Sequence, residues 1–395
     1  MKTCDIIGMS DSRKGWFPPE VMEVINRGRV FSGGKRHHEI VRSLLPEGAK
    51  WIDITVPLEL VFESYESYDH IVIFASGDPL FFGFANTVQR MCKGVSMRVF
   101  PSPNSLQMLA HRMCVAYHDM HVVSLTGRDW QKLDEALIGG VTMIGCLTDR
   151  VKTPHAIHQR MVEYGYTNYQ MTVGECLGNE TKERVSRYDA QAIYEHPNCL
   201  ILQKTDTRTR PFGIPDTDFV LLDSREKMIT KMPIRLLTLQ ALDLPLKRVF
   251  WDIGFCTGSV SIEARLQFPH LQVCAFEIRP ECEDIIRENA RRFGAPGIDV
   301  HIGDFLDTDL SDLPRPDAVF IGGHGGRLKE IMAKVLQYLT PDGCIVMNSV
   351  KAPLVKTDSH KLWDEACTDL CLTQVPSTAI VLNNHNPITI LKCIR

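Results

Sequence analysis

Apolar residues in this chain fall into short blocks closed by glycine, proline or acidic residues. Between the blocks lie stretches where apolar positions recur at helical spacing. In the first half, Asp5-Ile6-Ile7, Val30-Phe31, Trp51-Ile52-Asp53-Ile54 and His70-Ile71-Val72-Ile73-Phe74-Ala75 predict strands, and a helix is expected to start near Pro18-Pro19-Glu20. In the second half, strands are predicted at Val249-Phe250-Trp251, Val273-Cys274-Ala275-Phe276, Val300-His301-Ile302 and Pro316 to Ile321. Others are expected at Cys344 to Met347, Ala379 to Leu382 and Ile388 to Leu391. Leucines at 236, 237, 239, 242 and 244 mark a helix whose spacing is chiefly core packing. Strand and helix alternate throughout, so the fold class is α/β.

The chemistry gathers where strands end. Val249 to Ile253 runs into Gly254-Phe255-Cys256-Thr257-Gly258-Ser259, a tight turn handing over to a helix. Glycines there let the backbone turn sharply and approach a ligand. The next apolar block ends in Glu277, placed to accept both hydroxyls of a ribose. A structural corner would explain the glycines alone; the added acid favours a nucleotide-type cofactor. The spacing is G-x-x-x-G, unlike the G-x-G-x-x-G of dinucleotide folds. Two further strand ends carry Gly303-Asp304 and Gly322-Gly323-His324-Gly325-Gly326, the latter followed by Arg327. Glycines on both sides of His324 remove the packing neighbours a core histidine needs. In the first half, Ser76-Gly77-Asp78-Pro79 also closes a buried strand, although by itself Gly-Asp-Pro is a common turn.

Composition narrows the class. At 395 residues two domains are expected. The boundary is placed at Thr205 to Ser224, rich in charge, proline and threonine and read as an extended connector. The halves share a βα rhythm but no motif, so no duplication is expected. Hydrophobic residues are 44% and charged residues 23%, with no apolar run long enough for a bilayer and no recognisable signal peptide at the start. Thirteen cysteines without a C-x-x-C pair predict free thiols in a reducing cytoplasm, with neither disulfides nor a metal site. The net charge of −4 argues weakly against a nucleic-acid polymer. The loop at 322–326 also lacks the Asn-Pro-Pro-Tyr type of motif that holds a flipped base.

Asp252, Gly254 and Gly258 resemble motif I of the class I S-adenosylmethionine-dependent methyltransferases, acid-x-Gly-x-Gly-x-Gly, with Cys256 departing at the middle glycine. Asp304 matches the family position near the adenine. The segment Met228 to Arg235 resembles the approach segment of a cobalamin-pathway methyltransferase family, in which the residue equivalent to Thr230 nears the cofactor. The C-terminal hairpin and Asn386-Pro387 resemble the same family. In the first half, Gly33 to His38, Gly77-Asp78-Pro79, Ser102 to Gln107, Val123 to Arg128, Thr148-Asp149, Val173 to Gly178 and Glu183-Arg184 occur in an order that resembles the class III tetrapyrrole methylases. Within them the resemblance is to those that methylate precorrins late in cobalamin synthesis. Gly8-Met9-Ser10-Asp11-Ser12 stands in place of that family's Gly-Pro-Gly, and Thr126 in place of a common histidine.

The paired resemblance implies a fusion: a class III tetrapyrrole-methylase-like α/β region at 1–205, a linker at 206–223, and a Rossmann-like class I methyltransferase domain at 224–395. It implies two S-adenosylmethionine sites. Gly77, Asp78, Pro79, Ser105 and Leu106 would serve the first; Thr230, Asp252, Gly254, Cys256, Thr257, Gly258, Glu277 and Asp304 the second. The substrate implied is a reduced precorrin, methylated at C5 by the first half and at C15 by the second, with decarboxylation of the ring C acetate. Lys35, Arg36, His37 and Arg327 are candidates for its carboxylates, Gly322, Gly323 and Gly325 make room for a flat macrocycle, and His324 is the candidate to assist decarboxylation. A homo-oligomer is expected, without membrane or nucleic acid. Two competing readings are a class I methyltransferase acting on RNA or another small molecule with a recognition-only N-terminal domain, and a non-enzymatic tetrapyrrole or cofactor binder.

Overall fold

The computed structural model describes residues 1–224, 228–350, 359–381 and 387–394. Leu382 of the expected strand and Asn386 of the expected Asn-Pro lie outside these residues. The chain forms two compact units. The first comprises Met1–Arg128, Thr142–His158 and Tyr169–Asp206; the second comprises Asp129–Val141, Gln159–Asn168 and Thr207–Arg395. Among the described residues no helix is long and apolar enough to cross a membrane.

The first unit holds two sheets. One is all parallel, in the order β3-β2-β4-β1-β5, from β1 (Thr3–Met9), β2 (Val30–Gly33), β3 (Lys50–Asp53), β4 (His70–Ser76) and β5 (Ser96–Phe100). Ile6, Ile7 and Ile71 to Phe74 are fully buried, as continuous apolar strands in a covered parallel sheet should be. Helices α1 (Pro19–Arg27), α2 (Lys35–Val41), α3 (Leu58–Tyr65) and α4 (Phe84–Met91) connect these strands, α1 carrying Pro19 in its first turn and burying Val21, Val24 and Ile25. Helix α5 (Ser105–Met113) follows, capped by Asn104, whose Oδ1 accepts from the Gln107 amide at 2.9 Å. The second sheet is mixed, in the order β6-β7-β10-β8-β9, from β6 (His121–Ser124), β7 (Met143–Leu147), β8 (Tyr169–Glu175), β9 (Arg184–Arg187) and β10 (Asn198–Lys204). Helices α6 (Gln131–Ile138) and α7 (Pro154–Glu163) intervene in the chain.

The second unit is built on one seven-stranded sheet, β13-β12-β11-β14-β15-β17-β16. Strands β11 (Val249–Ile253), β12 (Gln272–Glu277), β13 (Ile298–Ile302), β14 (Ala318–Ile321) and β15 (Cys344–Val350) are parallel; β17 (Ile388–Ile394) runs antiparallel between β15 and β16 (Thr373–Ile380). Helices α8 (Met232–Ala241), α9 (Ser259–Gln267), α10 (Cys282–Phe293), α11 (Leu328–Tyr338) and α12 (Ser359–Asp369) cover it. The strand order reverses between β11 and β14, the crevice where open α/β sheets bind ligands.

The stretch read as an extended connector is, from Thr207 on, part of the second unit. Ile214, Phe219 and Leu222 are buried in its core. The Gly213 and Ile214 amides donate to the Glu263 carboxylate at 3.1 and 3.0 Å, and fully buried Arg235 pairs with Glu263 at 3.1 Å while also holding the Thr230 carbonyl at 2.8 Å. Buried charge demands such partners, so this pair fastens the segment to α8 and α9.

Candidate active sites

In the first unit β1 and β4 lie side by side, Met9 opposite Ser76, and their carboxyl ends open on a cavity of about 550 Å³. Gly77 begins the turn there with φ 60°, its amide donating to the Met9 carbonyl at 2.7 Å. Asp78 Oδ1 accepts from the Leu80 amide at 2.9 Å, which fixes the turn. Gly8 is required for a steric reason: a Cβ on it would stand 2.2 Å from the Gly77 carbonyl oxygen and 2.9 Å from Pro79 Cδ. Gly77, Asp78, Ser105, Arg36 and His37 line the cavity together. Pro79 and Leu106 are not lining residues, and the Leu106 side chain is buried in an apolar cluster with Leu109 and Leu177. Lys35 is exposed at the first turn of α2 and is not among the lining residues.

Arg36 bonds Ser76 Oγ at 2.7 Å and pairs with Asp11 at 3.0 Å. His37 lies 3.0 Å from the same Ser76 oxygen, and its Nδ1 accepts from the Gly34 amide at 3.3 Å. Burial, with Arg36 adding to it, lowers the His37 pKa to about 4. His37 is therefore neutral at pH 7 and offers a hydrogen bond where the sequence suggested a cation.

In the second unit the carboxyl ends of β11, β12, β13 and β14 surround a cavity of about 330 Å³. Gly254, Glu277, Asp304, Gly323, His324, Gly325 and Arg327 line it. Gly254 has φ 79°, and a Cβ there would fall 2.6 Å from the Gly323 amide nitrogen, so the β11 and β14 loops meet backbone to backbone. Glu277 is buried and heavily bonded. Its Oε2 accepts from the Cys256 amide at 2.9 Å, and Arg279 reaches both oxygens at 2.9 and 2.8 Å. Burial pushes its pKa up, but the Arg279 and backbone bonds outweigh this and the net shift is downward. Arg279 was not anticipated; its position two residues beyond the strand-end acid is the signal that would have shown it.

The remaining predicted residues form the frame. Asp252 is buried, with Oδ2 accepting from the Ser261 amide at 3.1 Å and hydroxyl at 2.5 Å. Cys256, at φ 52°, packs its side chain with Leu222, Phe255, Cys282 and Ile286 and does not line the cavity. Thr257 is buried, its carbonyl bonded by Asn289 at 3.0 Å, and Gly258 caps α9. The Gly322 amide donates to the Ile253 carbonyl at 2.8 Å. Thr230 contributes its carbonyl to Arg235 and is not a lining residue. Asp304 is paired with Arg327 at 2.9 Å, and Arg327 also bonds Glu330 at 3.0 Å. His324 Nδ1 accepts from the Gly326 amide at 3.1 Å, which assigns its proton to Nε2; burial lowers its pKa, so the ring is neutral.

An open sheet whose strand order reverses beside the cavity, with an acid at the second strand end and a glycine turn at the first, defines this unit as an α/β domain of the doubly wound class. A family model described as a precorrin methyltransferase domain matches residues 223–375. The precorrin-6Y C(5,15)-methyltransferase [decarboxylating] of Sinorhizobium sp is 31% identical over 364 residues, 90% of this chain and 87% of that protein. The cobalt-precorrin-6B C(15)-methyltransferase (decarboxylating) of Salmonella typhi is 33% identical over 183 residues, 45% of this chain and 94% of that protein. Among solved structures, precorrin-6y C5,15-methyltransferase from Geobacter metallireducens GS-15 is 32% identical, covering 47% of this chain and 100% of that one, with a TM-score of 0.42. The chain belongs to the family of the precorrin-6Y C(5,15)-methyltransferases (decarboxylating), and it is a methyltransferase.

Proposed function

We propose that this chain methylates a reduced precorrin-6 at C5 in its first half and at C15 in its second, the second half also removing carbon dioxide from the ring C acetate, in cobalamin biosynthesis. The observation that carries the division of labour is the presence of two separate cavities, each at the carboxyl ends of parallel strands in its own unit. Each would hold its own S-adenosylmethionine. The fit is physical: both cavities fall in the size range of cofactor pockets, and the second presents an ionised, preorganised carboxylate in Glu277. When bound, the cofactor supplies a methyl group already activated by its sulfonium.

The protein's own task is then alignment, worth on the order of 7 to 11 kcal/mol at best. Gly254, without a side chain, lets the β11 and β14 loops close backbone to backbone beside the cavity. A meso carbon conjugated to a pyrrole nitrogen needs no strong base. For decarboxylation, neutral His324 presents Nε2–H as a hydrogen-bond donor to a substrate carboxylate or developing charge. Arg36 faces the first cavity and Arg327 the second, as partners for the substrate's many carboxylates. The same reading places the chain in the cytoplasm as a homo-oligomer, which light scattering tests directly.

Mass spectrometry of the reduced precorrin-6 substrate incubated with protein and S-adenosylmethionine tests the activity: two methyl groups gained and one carbon dioxide lost. With Asp78→Ala the C5 methyl is lost while C15 methylation and decarboxylation persist; with Glu277→Gln the pattern reverses. Loss of the same methyl in both variants would overturn the assignment.

A further inference from the structure

The second unit brings together three metal-type donors that no linear motif announces. Cys274 on β12 is the register partner of Asp299 on β13, and His301 lies two residues further along the same strand, on the same face. Their Sγ, carboxylate oxygen and ring nitrogen all lie within 4.8 Å of one another. A tetrahedral zinc with ordinary bond lengths spaces such donors roughly 3.3 to 3.6 Å apart, so small rotamer adjustments suffice. We propose that Cys274, Asp299 and His301 form a binding site for a borderline-soft divalent cation of the Zn²⁺ type, with water completing the tetrahedron.

Ligand type, unspent lone pairs, outer-shell support and access all bear on the proposal. A thiolate, imidazole and carboxylate set suits zinc, and Cys274 is a free thiol. His301 Nε2 is buried and stands 3.0 Å from Asp299 Oδ2 without the alignment of a full hydrogen bond. The His301 ring is held by stacking on Phe276, centroids 5.1 Å apart and planes within 19°. The indole N–H of Trp251, the β11 register partner of Cys274, is buried without a hydrogen-bond partner. Access is through a cavity of about 520 Å³ whose lining includes Gln272, Cys274, Gly297, Asp299 and Pro314. None of the three ligands lines the cavity at Glu277, so this is a second kind of site in the unit.

The test uses the full chain, stripped with a chelator and titrated with Co²⁺ under reducing conditions. Thiolate-to-metal charge-transfer absorption reports Cys274, and competition with a chromophoric chelator gives the Zn²⁺ affinity. One equivalent with the charge-transfer band is expected. Cys274→Ser should abolish the band, and His301→Gln should keep it while weakening affinity by at least about tenfold. Asp299→Asn, at an exposed position where folding is not at risk, should weaken Zn²⁺ by a similar factor and abolish the metal-induced rise in Tm. Absence of the band in the wild type, or wild-type binding by Asp299→Asn and Cys274→Ser, overturns the proposal.

Discussion

Glu277, proposed as the ribose acceptor, already has hydrogen-bond partners. Arg279 occupies both of its oxygens, so a ribose diol must share or displace that guanidinium. Glu277→Gln should weaken S-adenosylmethionine at the second cavity by about tenfold or more, the scale of a charge-assisted hydrogen bond. Arg279→Ala should bind at least as tightly as wild type, because the Cys256 and Ile278 amides still hold the carboxylate. Calorimetry of the two variants separates these outcomes. Asp252 gives a pH signature. Burial raises its pKa to about 7, whereas in the unfolded chain it ionises near 4. Between those values the native state holds the extra proton, so unfolding releases it and stability falls as pH rises. Asp252→Asn should flatten that decline in urea midpoints measured from pH 5 to 7. At this scale the sequence showed which acids stand at strand ends but not what they touch. Asp252 reads like a ligand residue, and only the fold shows that its carboxylate anchors Ser261, while Arg279 passes unnoticed in Glu-Ile-Arg.

Elements with continuous apolar runs were legible; those defined by tertiary partners were not. Strand β16 begins at Thr373, well before the predicted Ala379, because its first residues are polar and include Pro376. As an edge strand it tolerates proline where the register shifts between Val375 and Thr378. The 205–224 stretch misled in the opposite sense: its prolines and charges suggest a connector, while Ile214, Phe219 and Leu222 are core residues gripped through Glu263. Glu263→Ala strips buried Arg235 of one of its two carboxylates, Asp216 remaining at 3.2 Å, and leaves the Gly213 and Ile214 amides without their acceptor, so it should lower the stability of the second unit by about 1–3 kcal/mol in chemical denaturation. In the first unit the β1 and β4 ends meet at Gly8. Gly8→Ala, driving a methyl into the Gly77 carbonyl, should suppress C5 methylation while C15 methylation continues, as product mass reports.

At the scale of the whole molecule, the order of two motif sets along the chain made a two-part methyltransferase legible. What no motif order reveals is that residues 129–141 and 159–168 group with the second unit, since that grouping depends on packing between segments distant in sequence. Each cavity is lined by residues of its own unit. A mixture of Asp78→Ala and Glu277→Gln proteins should therefore restore the full mass change that neither gives alone, through intermediate released to solvent. Failure of the mixture where wild type succeeds would show that the intermediate is not exchanged between molecules.

The backbone contact between Gly254 and Gly323 makes the β11 and β14 loops, proposed to hold donor and acceptor, a single joint. A side chain at Gly322, whose Cβ would stand 2.9 Å from the Gly254 carbonyl oxygen, would thus press on the loop proposed to seat the methyl donor. Gly325 and Gly326 differ: a Cβ on either meets open space, although both have positive φ. Asparagine tolerates that conformation, so Gly325→Asn offers a handle for changing the proposed substrate side of the cavity without pressing on the Gly254 loop.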